Sequence, residues 1–398
     1  MVRSIMVRSI RRYIVLILGV LGWSVSYIQR FIIPPIIPVI IEELGITHTE
    51  AGLLMTAFLV PYALMQIPSG VIGDVFGYKR VIVIGIIGMS VSTILMGLSN
   101  SLIQMLIARI AFGFFAGTYF APCTSIIIDY FEGKGKAIGV FFAGAPLGAF
   151  AATVMTSLLL HSLNWRGIII LAATFGFPIA LFFLICVKEK HKVSKANREA
   201  FLTKGKIKDI LTLNILAISV AFLLYQVPFW GVQTFMVDFL VFSKNLEVVS
   251  ANFVYTILPI AGIVGSLSGG LLSDIIGKLR SSVLLLTLIS AILLLLMLLP
   301  LSPAYIMLLA ILGLAIYAPA SPILALASDL INPKYRGTAL GFINFCGFIG
   351  GSLATFLGGL IIDYLGYFPL FTFYSLSGLA AGILLLINFK LHRRTYSS

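Results

Sequence analysis

Apolar residues recur along this chain in long blocks from Tyr13 almost to the C-terminus, separated by short polar punctuation. A helix rising about 1.5 Å per residue needs about twenty such residues to cross roughly 30 Å of hydrocarbon. Twelve blocks meet that length: 13–41, 51–73, 81–98, 102–128, 138–160, 167–187, 210–242, 253–273, 283–300, 306–328, 338–362 and 370–389. Runs such as Leu284–Leu299 do not alternate in polarity, so the strands of a barrel are excluded and membrane helices are predicted.

Composition agrees with the pattern. Over 398 residues, 60% are hydrophobic and 10% charged, against roughly 45–50% and 25% in soluble domains. The net charge of +13 would suit nucleic acid, but the cations sort by side. With the N-terminus inside, inner segments hold Arg3, Arg8, Arg11, Arg12, Lys79, Arg80, Lys134, Lys136, Lys278, Arg280, Lys334, Arg336, Lys390, Arg393 and Arg394, and outer loops hold only Arg166 and Lys244. This asymmetry predicts a multi-pass protein of the cell membrane with both termini cytoplasmic. Membrane lipid, rather than nucleic acid, is the expected partner of the basic face. The basic N-terminus is followed by a run too long for a secretory signal and without a small-residue cleavage site, so it is read as helix 1.

The longest polar stretch, 188–209, carries eight Lys or Arg against three acids and reads as a basic cytoplasmic linker. It divides the chain into six-helix bundles at 1–187 and 210–398. Across it the sequence repeats at an offset of 200 residues: Gly70, Asp74 and Gly77 return as Gly270, Asp274 and Gly277, and Gly113, Pro122, Asp129 and Lys134 as Gly313, Pro322, Asp329 and Lys334. After a two-residue shift, Gly139 and Gly148 meet Gly341 and Gly350. The expected fold is all-α and integral to the membrane, two related six-helix bundles. Parallel repeats of this kind suit a site that opens to one membrane face and then the other.

Gly70-Val-Ile-Gly-Asp74-Val-Phe-Gly77-Tyr-Lys79-Arg80 falls in the predicted inner loop between helices 2 and 3, and Gly270-Leu-Leu-Ser-Asp274-Ile-Ile-Gly277-Lys278-Leu-Arg280 repeats it between helices 8 and 9. Glycine allows tight turns, and the charged groups suit helix ends. Gly-x-x-x-Asp-x-x-Gly followed by basic residues resembles the signature loop of the major facilitator superfamily, and the resemblance covers nearly the whole chain. It implies twelve helices in two halves, secondary transport of a small solute by alternating access, and a cytoplasmic gating role for these residues; a plain turn and topology role is the alternative. Arg109-Ile-Ala-Phe-Gly113-Phe-Phe-Ala-Gly117 is similar to the family's helix 4 pattern, and Gly144-Ala-Pro146-Leu-Gly148 partly resembles the antiporter signature of helix 5, where bending or close packing is the other reading.

Ionisable groups inside a span mark candidate sites. Arg30 lies about 25 Å along helix 1, on one face with Trp23, Ser26 and Tyr27. Tyr27-x-x-Arg30 resembles helix 1 of the organic-anion and sugar-phosphate carriers of the superfamily, where an arginine meets a carboxylate or phosphate. Gln29 stands where those symporters commonly carry an acid, as does Ala116. Arg109 is a second candidate ligand, or else a donor to backbone carbonyls. Gln226, Trp230 and Gln233 in helix 7, Tyr62 and Gln66 in helix 2 and Asn344 in helix 11 complete the candidate set, with interhelical bonding as the alternative for each. No acid is read deep in a span, and Asp238 approaches the outer end of helix 7. Two buried cations without counter-charges imply an anionic or zwitterionic substrate. Secondary transport would admit a proton or sodium ion as coupling ion, though Gln29 and Ala116 do not offer a proton relay.

Cys123, Cys186 and Cys346 lack metal spacing, and His48, His161, His191 and His392 sit outside the spans without an acid cluster. Neither an enzyme, a metal site nor a cofactor is expected. A monomer is. Competing readings are an antiporter that expels amphipathic or neutral compounds and a transporter-like solute sensor.

Overall fold

The computed structural model describes residues 2–66, 68–131, 134–187, 212–331 and 336–396. The basic linker and Lys334 lie outside them, as do the side chains of 1–11, 132–136, 332–338 and 390–398. Every regular element among the described residues is helical: α1 Val2–Phe31, a 3-10 turn Pro34–Ile36, α2 Ile37–Leu44, α3 His48–Met65, α4 Pro68–Phe76, α5 Tyr78–Gly97, α6 Leu102–Gly117, α7 Phe120–Tyr130, α8 Lys134–Phe142, α9 Gly144–Leu159, α10 Trp165–Thr174 and α11 Gly176–Cys186. Beyond the linker come α12 Leu213–Phe242, α13 Val248–Ile276, α14 Lys278–Leu298, α15 Pro303–Tyr317, α16 Ala320–Leu330, α17 Arg336–Leu365 and α18 Tyr367–Tyr396. Among the described residues eleven stretches are long and apolar enough to cross a membrane, and twelve when α3 and α4, bent by 57° to each other, form one span.

The expected continuous helix 1, 13–41, breaks after Phe31. Pro34 and Pro35 lack the N–H groups that would continue the ladder, and the chain passes through the 3-10 turn before α2. Helix 4 breaks between Gly117 and Phe120, and helix 10 between Tyr317 and Ala320, an offset of 200 residues. The signature segments also differ from the expected loops: Gly70 and Asp74 are inside α4, Gly270 and Asp274 inside α13, and the turn is a single residue each time. Gly77 (φ 91°) and Gly277 (φ 90°) make it in a conformation that side chains disfavour. The repeat also reaches positions without sequence identity, because Gly45 (φ 62°) and Asn245 (φ 56°) are both left-handed.

The chain forms two compact units. One comprises Met1–Ile33 and Val60–Lys204, the other Pro34–Leu59 and Gly205–Ser398. Residues 34–59 therefore group with the second unit rather than with the first half of the sequence. The reason is local: Gly52 and Gly359 let α3 and α17 approach so closely that a Cβ on Gly52 would stand 2.1 Å from the Thr355 carbonyl oxygen, and one on Gly359 2.3 Å from that of His48. Thr56 bonds Ser352 O at 3.0 Å and Thr355 Oγ1 at 2.9 Å across the same contact.

In the first unit α1 packs along α9 and α5 along α6; in the second α12 packs along α17 and α14 along α18. A Cβ on Gly148 would lie 2.3 Å from Ser24 O, and one on Gly350 2.3 Å from Leu223 O. The paired Gly139 and Gly341 meet nothing within 4 Å.

Candidate functional site

Arg30 occupies the last turn of α1 and is fully buried. Three rings surround its guanidinium: Tyr62 at 4.2 Å, Tyr27 at 4.8 Å and Trp23 at 5.0 Å from the guanidinium carbon. Each ring face attracts the cation, by about 2 kcal/mol or more where water is excluded. The rings leave its hydrogen-bonding capacity unused. Nε, Nη1 and Nη2 have no hydrogen-bond partner among the described residues, and neither do Trp23 Nε1, Ser26 Oγ and Gln66 Nε2. Trp23, Ser26 and Arg30 share one face of α1, and Gln66 follows Tyr62 by one turn. Nearly all of these buried groups are donors, an arrangement suited to a ligand rich in acceptors.

Arg109, buried in α6, is differently engaged. Its Nη1 donates to Gln29 O and its Nη2 to Arg30 O, both at 3.4 Å, with Phe112 beneath the guanidinium. α1 ends at Phe31, so the carbonyls of its last turn have no intrahelical donor, and Pro34 could not donate to Arg30 O. Arg109 supplies the missing donors and places a cation at the negative end of α1. Gln29 is turned away from the rings: Nε2 donates to Ser90 Oγ (3.2 Å) and Ala172 O (3.5 Å), and Oε1 accepts from Thr93 (3.3 Å).

The C-terminal candidates lie in the second unit. Gln233 is fixed by tyrosines on both ends of its amide, Tyr317 at Nε2 and Tyr255 at Oε1 (2.6 Å). Trp230 packs against Phe58 and Phe348, and Gly351 lies against its indole. Gln226 stands one turn before Trp230, against Gly347. Asn344 bonds its own helix at Leu340 O (3.1 Å). Tyr255 and Tyr317 were not singled out by the sequence; a tyrosine in an apolar run carries no mark of the amide it meets.

At the signature turns, Tyr78 donates to Asp74, and Lys278 pairs with Asp329 at 2.6 Å. Lys79 is half-buried, and Arg80, Asp274 and Arg280 are exposed. Asp238 lies near the C-terminal end of α12, within Leu213–Phe242, and is fully buried. His48, expected outside the spans, opens α3 with Nε2 3.4 Å from Asp238 Oδ2. No group of three His, Cys, Asp or Glu suited to a metal ion occurs among the described residues.

The Major Facilitator Superfamily model matches residues 19–355. The chain belongs to this family. It is similar to the hexuronate transporter of Bacillus subtilis (strain 168), 24% identical over 87% of each chain. It is also similar to the D-galactonate transporter of Escherichia coli O6:H1, 23% identical over 92% of each, and to a probable hexose phosphate transport protein of Chlamydia pneumoniae, 21% identical over 87% of this chain and 84% of that one. The fold matches a bacterial homologue of the human lysosomal transporter Spinster in an inward-facing, unoccupied conformation, with a TM-score of 0.72 and 19% identity over 95% of both chains. This member of the superfamily is thus a multi-pass membrane transporter of a small molecule and not an enzyme.

Proposed function

We propose that this superfamily member carries a small organic or inorganic anion across the cell membrane by alternating access, with both termini cytoplasmic, and that Arg30 is the principal ligand of the anion. The observation that carries the reading is the set of buried donors on Arg30, Trp23, Ser26 and Gln66 without partners among the described residues. The planar fork of its guanidinium suits a carboxylate or phosphate. Unpaired donors on Trp23, Ser26 and Gln66 suit hydroxyls beside that anion, and the relatives named for hexuronate, D-galactonate and hexose phosphate fit such a molecule. Tyr27 and Tyr62 would shape the pocket around Arg30, and Gln226, Trp230, Gln233 and Asn344 are further candidate substrate ligands. Gly70, Asp74, Gly77, Lys79 and Arg80, with Gly270, Asp274, Gly277, Lys278 and Arg280, would act as cytoplasmic gate residues. Arg109 would position Arg30 through the backbone rather than touch the anion. The transporter would work as a monomer coupled to a proton or sodium ion.

The test is uptake of labelled glucuronate, galactonate and glucose 6-phosphate into proteoliposomes. Arg30→Ala should abolish uptake of the transported anion, and Arg30→Lys should retain a fraction of it. Undiminished uptake by Arg30→Ala would overturn the assignment; transport of neutral or amphipathic compounds alone would favour the efflux reading.

A further inference from the structure

Away from Arg30, four side chains of the second unit meet around one imidazole. His48 Nδ1 lies 2.8 Å from Asp363 Oδ1, and Nε2 lies 3.4 Å from Asp238 Oδ2. Tyr367 donates to Asp238 Oδ2 at 2.7 Å and stands 3.5 Å from His48 Nε2. Asp238 Oδ1 is buried without a hydrogen-bond partner among the described residues. Asp363 also accepts from the backbone N–H groups of His48 (3.0 Å) and Thr49 (2.9 Å) and from Thr49 Oγ1 (2.5 Å), so it caps α3 from more than three hundred residues away. The remaining wall is Phe242, edge-on to the imidazole. Nearby charges are otherwise engaged: Glu50 Oε2 accepts from Thr47 N at 2.8 Å, and Lys244 Nζ donates to Leu299 O at 2.8 Å. Among the described residues, no Lys or Arg lies within ion-pair distance of Asp238 or Asp363.

We propose that His48, Asp238 and Asp363 bind one proton, and that this proton latches residues 34–59 onto the rest of the second unit. A neutral imidazole has one N–H and one lone pair, so with a carboxylate at each ring nitrogen one contact is repulsive. An imidazolium donates to both. It also places a cation between two carboxylates, one of them wholly buried in a membrane helix, where an uncompensated charge is costly. Adding the proton to the imidazole therefore completes the bridge from α3 to α12 and α17. Removing it leaves two carboxylates joined by a neutral ring, and the bridge weakens as pH rises. Histidine is the side chain whose ordinary titration falls in this range. The inference stands on the second unit alone and does not depend on Arg30.

The test uses the purified full-length chain with Cys123, Cys186 and Cys346 replaced and spin labels at Glu42→Cys and Leu301→Cys, both exposed positions of the second unit. Distance distributions are compared at about pH 6 and about pH 8, either side of the ordinary histidine range. A longer-distance population should rise several-fold at the higher pH, and His48→Gln should remove that dependence. Asp238→Asn keeps the shape while removing the buried carboxylate; it should also flatten the dependence, and it carries the test if His48→Gln does not fold. Identical distributions in the parent at both pH values, or an unchanged pH response in either variant, would overturn the proposal.

Discussion

Replacing Arg109 with Met removes a charge from the membrane interior, which by burial alone should stabilise the protein. The structure predicts the reverse. Arg109 is the donor to two carbonyls at the end of α1, both at 3.4 Å, beyond the usual range for N–H···O bonds. A charged donor at good geometry contributes about 1.5–3 kcal/mol, so these two bonds are taken at about 1 kcal/mol each. Methionine fills similar space without donating, which leaves both carbonyls unsatisfied beside Pro34. The expected loss is about 2 kcal/mol, or about 4–8 °C in Tm at roughly 2–4 °C per kcal/mol for a unit of this size. Lysine, with a single point of donation, should recover about half. Intrinsic-fluorescence or thiol-reactive thermal unfolding of the detergent-purified protein measures this. A Tm for Arg109→Met within about 1 °C of the parent would refute the clamp.

Gly148→Val and Gly350→Val should each cost about 1–3 kcal/mol and reduce the monodisperse fraction in size-exclusion chromatography, because each Cβ meets a carbonyl oxygen at 2.3 Å; Gly139→Ala and Gly341→Ala, with open space around them, should not. Gln29→Leu breaks three contacts that tie α1 to α5 and α10, and at about 0.6 kcal/mol each in a membrane protein the loss is about 2 kcal/mol by thermal unfolding. Lys278→Ala should change stability by less than about 1 kcal/mol, since its bridge to Asp329 is solvent-accessible; a larger loss would point to a structural role for the signature turn.

The helix plan was legible because membrane helices must be apolar nearly throughout, and hydropathy alone finds them. Arg30 was legible for the complementary reason, a charge where none is cheap. What the sequence left dark is pairwise. Asp238 looked like a residue near a helix end, and its burial depends on His48, Asp363 and Tyr367 arriving from three other elements. Gln29 invited comparison with an acid, yet its amide spans three helices, a role that depends on Ser90 and Thr93 facing it. The broken course of helix 1 could be anticipated from Pro34 and Pro35, whereas the grouping of residues 34–59 with the second unit could not, because it rests on Gly52 and Gly359 meeting foreign carbonyls.

Gly148 and Gly350 sit at the same contact in the two units, each under a carbonyl from residues with nothing in common, Ser24 and Leu223. The internal repeat is visible here as forbidden volume: the facing residues differ, while both positions leave no room for a side-chain carbon. Searches for buried duplications in other diverged membrane chains could therefore align the places that admit no side chain before aligning the side chains themselves.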